Sequence, residues 1–471
     1  MLSGDLALNT LPVKLVALAA VATAALSGCA SWRVDKAARV ATGLTSHLIC
    51  DDSFVSQIDP QTSFTERVQP LPGMGPFAWA LRRQVDTARR EVTVSMVGLF
   101  ESRAVHREGL GCVALPVSET LEPAAPPPLI TRQPALLPAI AGPAPVQTGN
   151  PALAAALARA LSPAPHNTKA VVVLHDGQLI GEAYAKGYGV DTPVLGFSMT
   201  KSVTNALIGA LVQQGRLSLQ QPAPLPEWRE PSDPRHAITI EHLLRQASGL
   251  DLLQDNSGFD SSTQIMYSVR DKAAAAAAAP LAVAPGTLWS YTDTNFILLS
   301  RIVRDAVGGT ANDVLRFAHT ELFGPLGMRQ VTLDFDATGT PIGASHMLAT
   351  PRDWARFGQL YLDDGVVGGR RILPIGWVAQ STMPTLATGY GAGFWTNRVP
   401  GKVPGWGVPW GLASAPPDTF FARGFMGQFV VVIPSQRLVI VRMSVSHVRG
   451  DDIEETDRIV GDVLAALRSP P

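Results

Sequence analysis

The stretch Gly196-Phe197-Ser198-Met199-Thr200-Lys201-Ser202 places a serine three residues before a lysine, at the start of a predicted helix. Apolar residues then recur at helical spacing, at Val203, Leu207 and Leu211. Residues three apart on a helix share a face, so the Lys201 amine can reach the Ser198 hydroxyl. A serine becomes a nucleophile when a neighbouring base takes its proton, and a desolvated lysine can be that base. A capping serine followed by a solvated surface lysine would give the same pattern.

Four further segments follow in order. They are Ile238-Thr239-Ile240-Glu241-His242-Leu243-Leu244 with Ser248-Gly249-Leu250, Pro285-Gly286 with Trp289-Ser290-Tyr291-Thr292-Asp293, Pro325-Leu326-Gly327-Met328, and Thr350-Pro351-Arg352-Asp353-Trp354-Ala355-Arg356-Phe357-Gly358. Together with the Ser-x-x-Lys motif, this series resembles the class C-like branch of the serine β-lactamase and penicillin-binding-protein superfamily. That branch includes esterases, D-aminopeptidases and 6-aminohexanoate-dimer hydrolases. The resemblance covers about residues 165 to 465.

The resemblance implies a serine hydrolase in which Ser198 is the nucleophile, Lys201 its base and Tyr291 a proton shuttle toward the leaving group. An unperturbed tyrosine pKa of about 10 is too high for a base at neutral pH, so this role needs a phenolate or a strong hydrogen bond to Lys201. The backbone N–H groups of Ser198 and Phe425 are implied as the oxyanion hole. Without its flanking motif, Tyr291 also fits a half-buried aromatic whose hydroxyl lies at the surface.

The sequence departs from the family pattern at two positions of the expected substrate site. Ala422-Arg423-Gly424 stands where family members carry Lys-Thr-Gly or His-x-Gly, and Asp293 stands where they carry Asn. We expect Asp293, Arg423 and Gly424 at the substrate, although strand alternation would point Arg423 away from the face of Ala422.

Both departures disfavour the recognition of a β-lactam carboxylate. Gly424-Phe425-Met426-Gly427-Gln428 is similar to the 6-aminohexanoate-dimer hydrolase relatives. Esters or short amides are therefore the expected substrates. The alternatives are a β-lactamase, a DD-peptidase, or a non-catalytic cell-wall or ligand-binding protein on the same fold.

Strand patterns lie at both ends of residues 151 to 468, with helical patterns between them. Asp176-Gly177 separates two apolar runs, as in a β-hairpin, and Pro434-Ser435-Gln436 separates two more. A terminal helix is predicted from about Ile453 to Leu467. The expected fold class is α+β, serine β-lactamase-like: an antiparallel sheet flanked by helices, with an inserted helical subdomain.

A small β-rich N-terminal unit is predicted over residues 46 to 115, followed by a Pro-rich linker over 116 to 150. The chain has three cysteines, and Cys29 is the expected lipid site described in the next paragraph. Cys50 and Cys112 then remain as an even pair, and we expect a disulfide between them if the chain is exported. Two free buried thiols are the alternative.

Residues 1 to 29 have the pattern of a lipoprotein signal segment, with Lys14, an apolar run and then Leu26-Ser27-Gly28-Cys29. This tetrapeptide resembles a bacterial lipobox. It predicts export and a lipid on Cys29 that holds the protein on a membrane surface of the bacterial cell envelope, facing the periplasm or exterior. A simple secretory signal or a short anchor helix is the alternative.

The composition argues against a nucleic-acid partner, because 38 basic and 39 acidic residues leave a formal net charge of -1. The expected partner is a small ester, amide or peptide-like molecule. The proposed chemistry requires no metal and no organic cofactor, and the nine His are scattered along the chain. We therefore expect no metal site from the sequence.

Overall fold

The computed structural model describes residues 34–122, 126–128, 134–161, 166–404, 407–447 and 450–468. The predicted signal segment and Cys29 lie outside these residues. Among them, no helix is both long and apolar enough to cross a bilayer.

The N-terminal unit contains two helices and four strands. These are α1 (Val34–Phe54), α2 (Pro60–Ser63), β1 (Leu81–Asp86), β2 (Glu91–Met96), β3 (Leu99–Arg107) and β4 (Gly111–Pro116). The strands form an antiparallel sheet in chain order. The predicted β-rich unit over 46 to 115 is therefore wrong for its first half, because residues 46 to 54 continue α1 and the sheet begins only at Leu81.

Helix α1 is buried on nearly all sides because it lies between this sheet and the larger domain. A Cβ added at Gly43 would come within 2.2 Å of the Tyr267 carbonyl oxygen, so the two backbones are in close contact there. The disulfide joins Cys50 of α1 to Cys112 of β4. Apolar and polar residues are not separated onto two faces of this helix, so the sequence does not predict it.

The larger domain begins with α3 (Pro151–Ala160), β5 (Thr168–His175), β6 (Gln178–Tyr184), β7 (Val194–Leu195), α4 (Thr200–Gln213), α5 (Ile240–Leu244), α6 (Ser261–Ser268), α7 (Lys272–Ala277), α8 (Asp293–Val307), α9 (Ala311–Ala318) and α10 (Gly324–Leu326). It continues with β8 (Val331–Leu333), β9 (Met347–Ala349), α11 (Pro351–Leu362), β10 (Val366–Val367), β11 (Arg370–Arg371), α12 (Trp377–Ser381), β12 (Trp395–Thr396), β13 (Phe420–Gly424), β14 (Gln428–Ile433), β15 (Leu438–Ser444) and α13 (Asp451–Arg468).

A six-stranded antiparallel sheet in the order β12-β13-β14-β15-β5-β6 brings the two ends of this domain together. Alternate strand residues face opposite layers. Val172 and Val439 face α11, where Gly358 allows the helix to approach the sheet closely, while Val171 and Ile440 face α3 and α13. The helices between β6 and β12 form the inserted part. The chain therefore has the expected α+β fold, an antiparallel sheet flanked by helices, with both predicted hairpins and the terminal helix present.

The described part of residues 117 to 150 contains no helix or strand, and it runs along the larger domain. Leu136 N–H donates to the Pro325 carbonyl oxygen at 2.8 Å, and Arg352 donates to the Gly142 carbonyl oxygen at 2.6 Å. The Pro-rich stretch is thus an extended connector that is bound to the domain surface.

Candidate active site

Ser198 lies in a single 3-10 turn, Phe197–Met199, between β7 and the start of α4. Phe197 has a φ of 45°, a conformation that costs free energy for a bulky side chain. Gly196 is required because a Cβ there would come within 2.3 Å of the Trp354 ring. The Ser198 side chain is not a helix cap: the N-cap position of α4 is Met199, and Ser198 Oγ instead contacts Lys201.

Lys201 is only 1% exposed, so the alternative of a solvated surface charge is wrong. Its Nζ donates to Ser198 Oγ at 2.9 Å, to the Ala344 carbonyl oxygen at 2.9 Å, and to the Asp293 carboxylate in a short contact. Burial acts to lower the pKa of Lys201, but the Asp293 carboxylate and the Tyr291 phenol outweigh burial and hold this pKa above its ordinary value. Lys201 is therefore an ammonium at neutral pH.

Asp293 is the partner of this ammonium. It begins α8, where the helix dipole favours a carboxylate. Gln254 binds it twice, since the Gln254 amide oxygen accepts from the Asp293 N–H at 2.5 Å and its Nε2 donates to Asp293 Oδ2 at 3.1 Å. The structure thus gives Asp293 contacts to Lys201 and Gln254, and its predicted place at the substrate stays a prediction.

Tyr291 is half-buried beside the same amine. Lys201 Nζ lies 4.9 Å from the centroid of its ring, which is a cation–π distance. Its other neighbours are aromatic: Tyr390 and Trp395 have ring centroids 5.6 and 5.7 Å away, and Trp289 lies 6.2 Å away. These rings hold Tyr291 against Lys201.

Strand β13 ends directly beside the nucleophile turn. A Cβ on Gly424 would come within 2.1 Å of the Gly196 carbonyl oxygen, so only glycine allows this approach. The next residue, Phe425, packs its ring edge-on against Phe197 at 5.6 Å. Met426 follows with a φ of 62°, a second strained residue. The backbone segments that carry the two predicted oxyanion-hole amides, of Ser198 and Phe425, are thus adjacent.

Arg423 is not brought to the site. Its guanidinium donates twice to Asp452 of α13, from Nη2 at 2.6 Å and from Nε at 2.9 Å. Strand alternation accounts for this, because Arg423 and Ala422 point to opposite faces of the sheet. Its predicted role in substrate binding is therefore corrected to an ion pair between β13 and α13.

Sequence reasoning missed one partner of Lys201, the Ala344 carbonyl, and one partner of Asp293, the Gln254 side chain. The Ala344 carbonyl lies on a loop without a motif, and its role depends on the backbone path between β8 and β9. Gln254 lies in another loop, between the motif at Ser248 and α6. The replacement of Asn by Asp at 293 was a signal for the ion pair, since a carboxylate beside a buried lysine is expected to pair with it.

Comparisons with known proteins identify the family and the fold. Residues 158–464 match the family model described as Beta-lactamase. The chain is 27% identical over 224 residues to a 6-aminohexanoate-dimer hydrolase from Paenarthrobacter ureafaciens, a match that spans 45% of this chain and only 56% of that relative. It is 27% identical over 351 residues to penicillin-binding protein 4 from Amycolatopsis lactamdurans, covering 64% of this chain and 86% of that protein.

A solved family VIII carboxylesterase shares the fold, with a TM-score of 0.52 and 15% identity over 67% of this chain and 97% of that one.

We predict that Arg423→Gln lowers the melting temperature and leaves the KM for any substrate unchanged. Loss of the guanidinium leaves Asp452 without its partner, and breaking a largely buried pair costs roughly 3–5 kcal/mol of unfolding free energy. Thermal unfolding and steady-state kinetics measure the two effects. A raised KM with unchanged stability would mean that Arg423 binds substrate after all.

Proposed function

Because this chain belongs to the beta-lactamase family, we propose that it is a serine hydrolase that acts through an acyl-enzyme on esters or short amides. The observation that carries the proposal is the 2.9 Å contact between Lys201 Nζ and Ser198 Oγ at the floor of a site that also contains Tyr291. The same contact satisfies the third N–H donor of the buried ammonium and holds the serine oxygen beside the amine.

The proposed reaction has two halves. Ser198 Oγ attacks the substrate carbonyl while its proton passes to the Lys201 and Tyr291 pair, and the oxyanion is held by the Ser198 and Phe425 amides. The pair gives the proton to the leaving alcohol or amine, which departs as the C–O or C–N bond breaks. Water then attacks the Ser198 ester while the same groups take a proton from it, and they give that proton to Ser198 Oγ as the ester bond breaks and the acid is released.

The ion pair with Asp293 sets a condition on the first half. An ammonium has no lone pair, so Lys201 accepts a proton only after it has lost one. Because Asp293 raises the pKa of Lys201, the neutral amine is a minor species at neutral pH and its population increases as pH rises. In the resting site the ammonium orients Ser198 Oγ and stabilises negative charge that develops on the Tyr291 oxygen.

The substrate class follows from charge and exposure around the site. No lysine or histidine stands at position 422, where Ala422 is fully buried, and the Asp293 carboxylate lies in contact with Lys201. Phe425 is 47% exposed beside the nucleophile turn, and Leu288 and Leu253 are exposed next to Trp289 and Gln254. An uncharged ester or amide with an apolar acyl part suits these surroundings better than a carboxylate-bearing β-lactam.

We further propose that the chain is exported and lipid-anchored through Cys29 in the bacterial cell envelope. The support is the Leu26-Ser27-Gly28-Cys29 pattern, together with a Cys50–Cys112 disulfide that is compatible with an oxidising compartment.

Ser198→Ala is expected to reduce kcat/KM for a chromogenic short-chain ester by about 10⁴-fold or more, because no acyl-enzyme can form. A fluorophosphonate probe is expected to add its mass to the peptide that contains Ser198 in the unmodified chain only. Ser435→Ala, on an exposed turn, serves as the control with full activity and labelling. Retained turnover or labelling in the Ser198 variant would contradict the proposal, and an unlabelled native chain would favour a non-catalytic binding protein.

Asp293→Asn is expected to move the acidic limb of the kcat/KM profile to lower pH, by roughly one to three pH units. The reason is that the carboxylate keeps the pKa of Lys201 raised, and its amide replacement removes that charge. Activity at pH 7 then rises relative to the plateau. An acidic limb that stays in place would show that the deprotonation of Lys201 does not limit the reaction.

Cys29→Ala is expected to shift the protein expressed in a Gram-negative host from the detergent phase to the aqueous phase in a Triton X-114 partition, with loss of incorporated fatty acid. Ser31→Ala provides the matched control and should behave like the native chain. Equal partition of the Cys29 variant and the native chain would exclude the lipid anchor.

A further inference from the structure

A buried polar cluster lies where the N-terminal unit meets the larger domain. His47 and Asp51 come from α1, four residues apart and therefore on one helix face. Asp334 follows β8 and His346 precedes β9. All four side chains are at most 1% exposed.

The contacts within the cluster leave several atoms without a partner. His47 Nε2 lies 2.8 Å from Asp334 Oδ2 and 3.9 Å from Asp51 Oδ2, and the His47 and His346 rings stack at 4.2 Å. Among the residues that the structure describes, neither oxygen of Asp51 has a hydrogen-bond partner, and neither has Nε2 of His346. The neighbour of Asp51 is the Asp334 carboxyl, and the two can share a hydrogen bond only when one of them carries a proton.

The cations near this cluster donate to groups outside it. Lys272 Nζ donates to the Val269 carbonyl oxygen at 3.1 Å, Arg107 donates to the Phe335 carbonyl oxygen at 2.6 Å, and Arg67 pairs with Asp52 at 2.8 Å. Two fully buried carboxylates that face each other require a positive species between them, either a shared proton or a metal ion.

We propose that His47, Asp51 and His346 bind a divalent transition-metal ion of the zinc class, with Asp334 as a further carboxylate at its edge. Imidazole nitrogens and carboxylate oxygens are the ligands that such ions take. One ligand atom from each of the three residues lies within 4.8 Å of the others. Tetrahedral ligands at about 2.1 Å from one ion stand about 3.4 Å apart, so the three ligand atoms move together by up to roughly 1.4 Å on binding.

A neighbouring hydroxyl orients one of the proposed ligands. Ser345 Oγ contacts His346 Nδ1 at 2.5 Å, which leaves Nε2 free and holds the ring as an outer-shell partner does.

The proposed ion lies between the N-terminal unit and the larger domain, which gives it a structural role. Two ligands belong to the N-terminal unit and one to the loop whose Ala344 carbonyl accepts from Lys201. The disulfide fixes α1 next to this point, since Cys50 precedes Asp51 and the Cys112 N–H donates to Asp334 Oδ1 at 3.1 Å. The ion thus joins the unit to the wall of the catalytic site. The inference does not depend on the proposed hydrolase activity.

The experiment measures metal content in the full mature chain, made without a histidine tag and kept non-reduced so that no thiol can bind metal. Protein is expressed with added zinc sulfate and passed through metal-free buffer with a weak chelator. Elemental analysis is expected to give about one zinc per chain. His47→Gln and His346→Gln are expected to lower the metal affinity at least tenfold, whereas His175→Gln, on the surface, should retain the ion.

A second measurement covers the case in which a ligand variant fails to fold. The native chain is refolded with either zinc or cobalt after removal of metal, under conditions that keep the disulfide. Zinc is expected to raise the melting temperature, and cobalt should give visible ligand-field absorption that zinc abolishes. A native chain that purifies with less than a tenth of an equivalent, and whose melting temperature ignores added zinc, would overturn the proposal and leave a shared proton in the cluster.

Discussion

The positive charge of Lys201 is buried at the centre of the molecule, and the surrounding elements are arranged to compensate it. Taking an ammonium out of water costs several kcal/mol unless hydrogen bonds and an opposite charge replace the lost hydration. Here the replacements come from α8, through Asp293, and from the loop before β9, through Ala344. The third acceptor is Ser198 itself, so the same bond that satisfies the lysine positions the serine oxygen.

Strained and closely packed backbone positions lie on both sides of that bond. Phe197 and Met426 adopt left-handed conformations on either side of the site, and Gly196 and Gly424 allow two backbones and a tryptophan ring to meet without a Cβ between them. Such positions persist only where packing over-determines them. The N-terminal unit contributes to this packing, because its hydrophobic cluster includes Phe197 and residues of the sheets that flank the nucleophile turn.

The sequence allowed much of this to be predicted, for identifiable reasons. The hairpins at Asp176-Gly177 and Pro434-Ser435-Gln436 were predictable because turn chemistry is local, and the Ser198 to Lys201 contact because helical spacing is local. Helix α1 was missed since its burial on both sides removes the amphipathic pattern. The partner of Asp293, the direction of Arg423 and the cluster at His47 depend on segments far apart in the chain, and no spacing in one segment reports them.

The protonation state of Lys201, an ammonium paired with Asp293 in the resting protein, can be measured directly. With only seven lysines in the chain, a ¹³C-lysine NMR titration can follow each side chain, and the signal that disappears in a Lys201→Arg variant identifies this one. We expect the Lys201 Cε signal to titrate above the ordinary lysine pKa of about 10.4 in the native chain, and at lower pH in Asp293→Asn. A Lys201 signal that titrates near or below neutrality in the native chain would show instead that the resting lysine is a free amine.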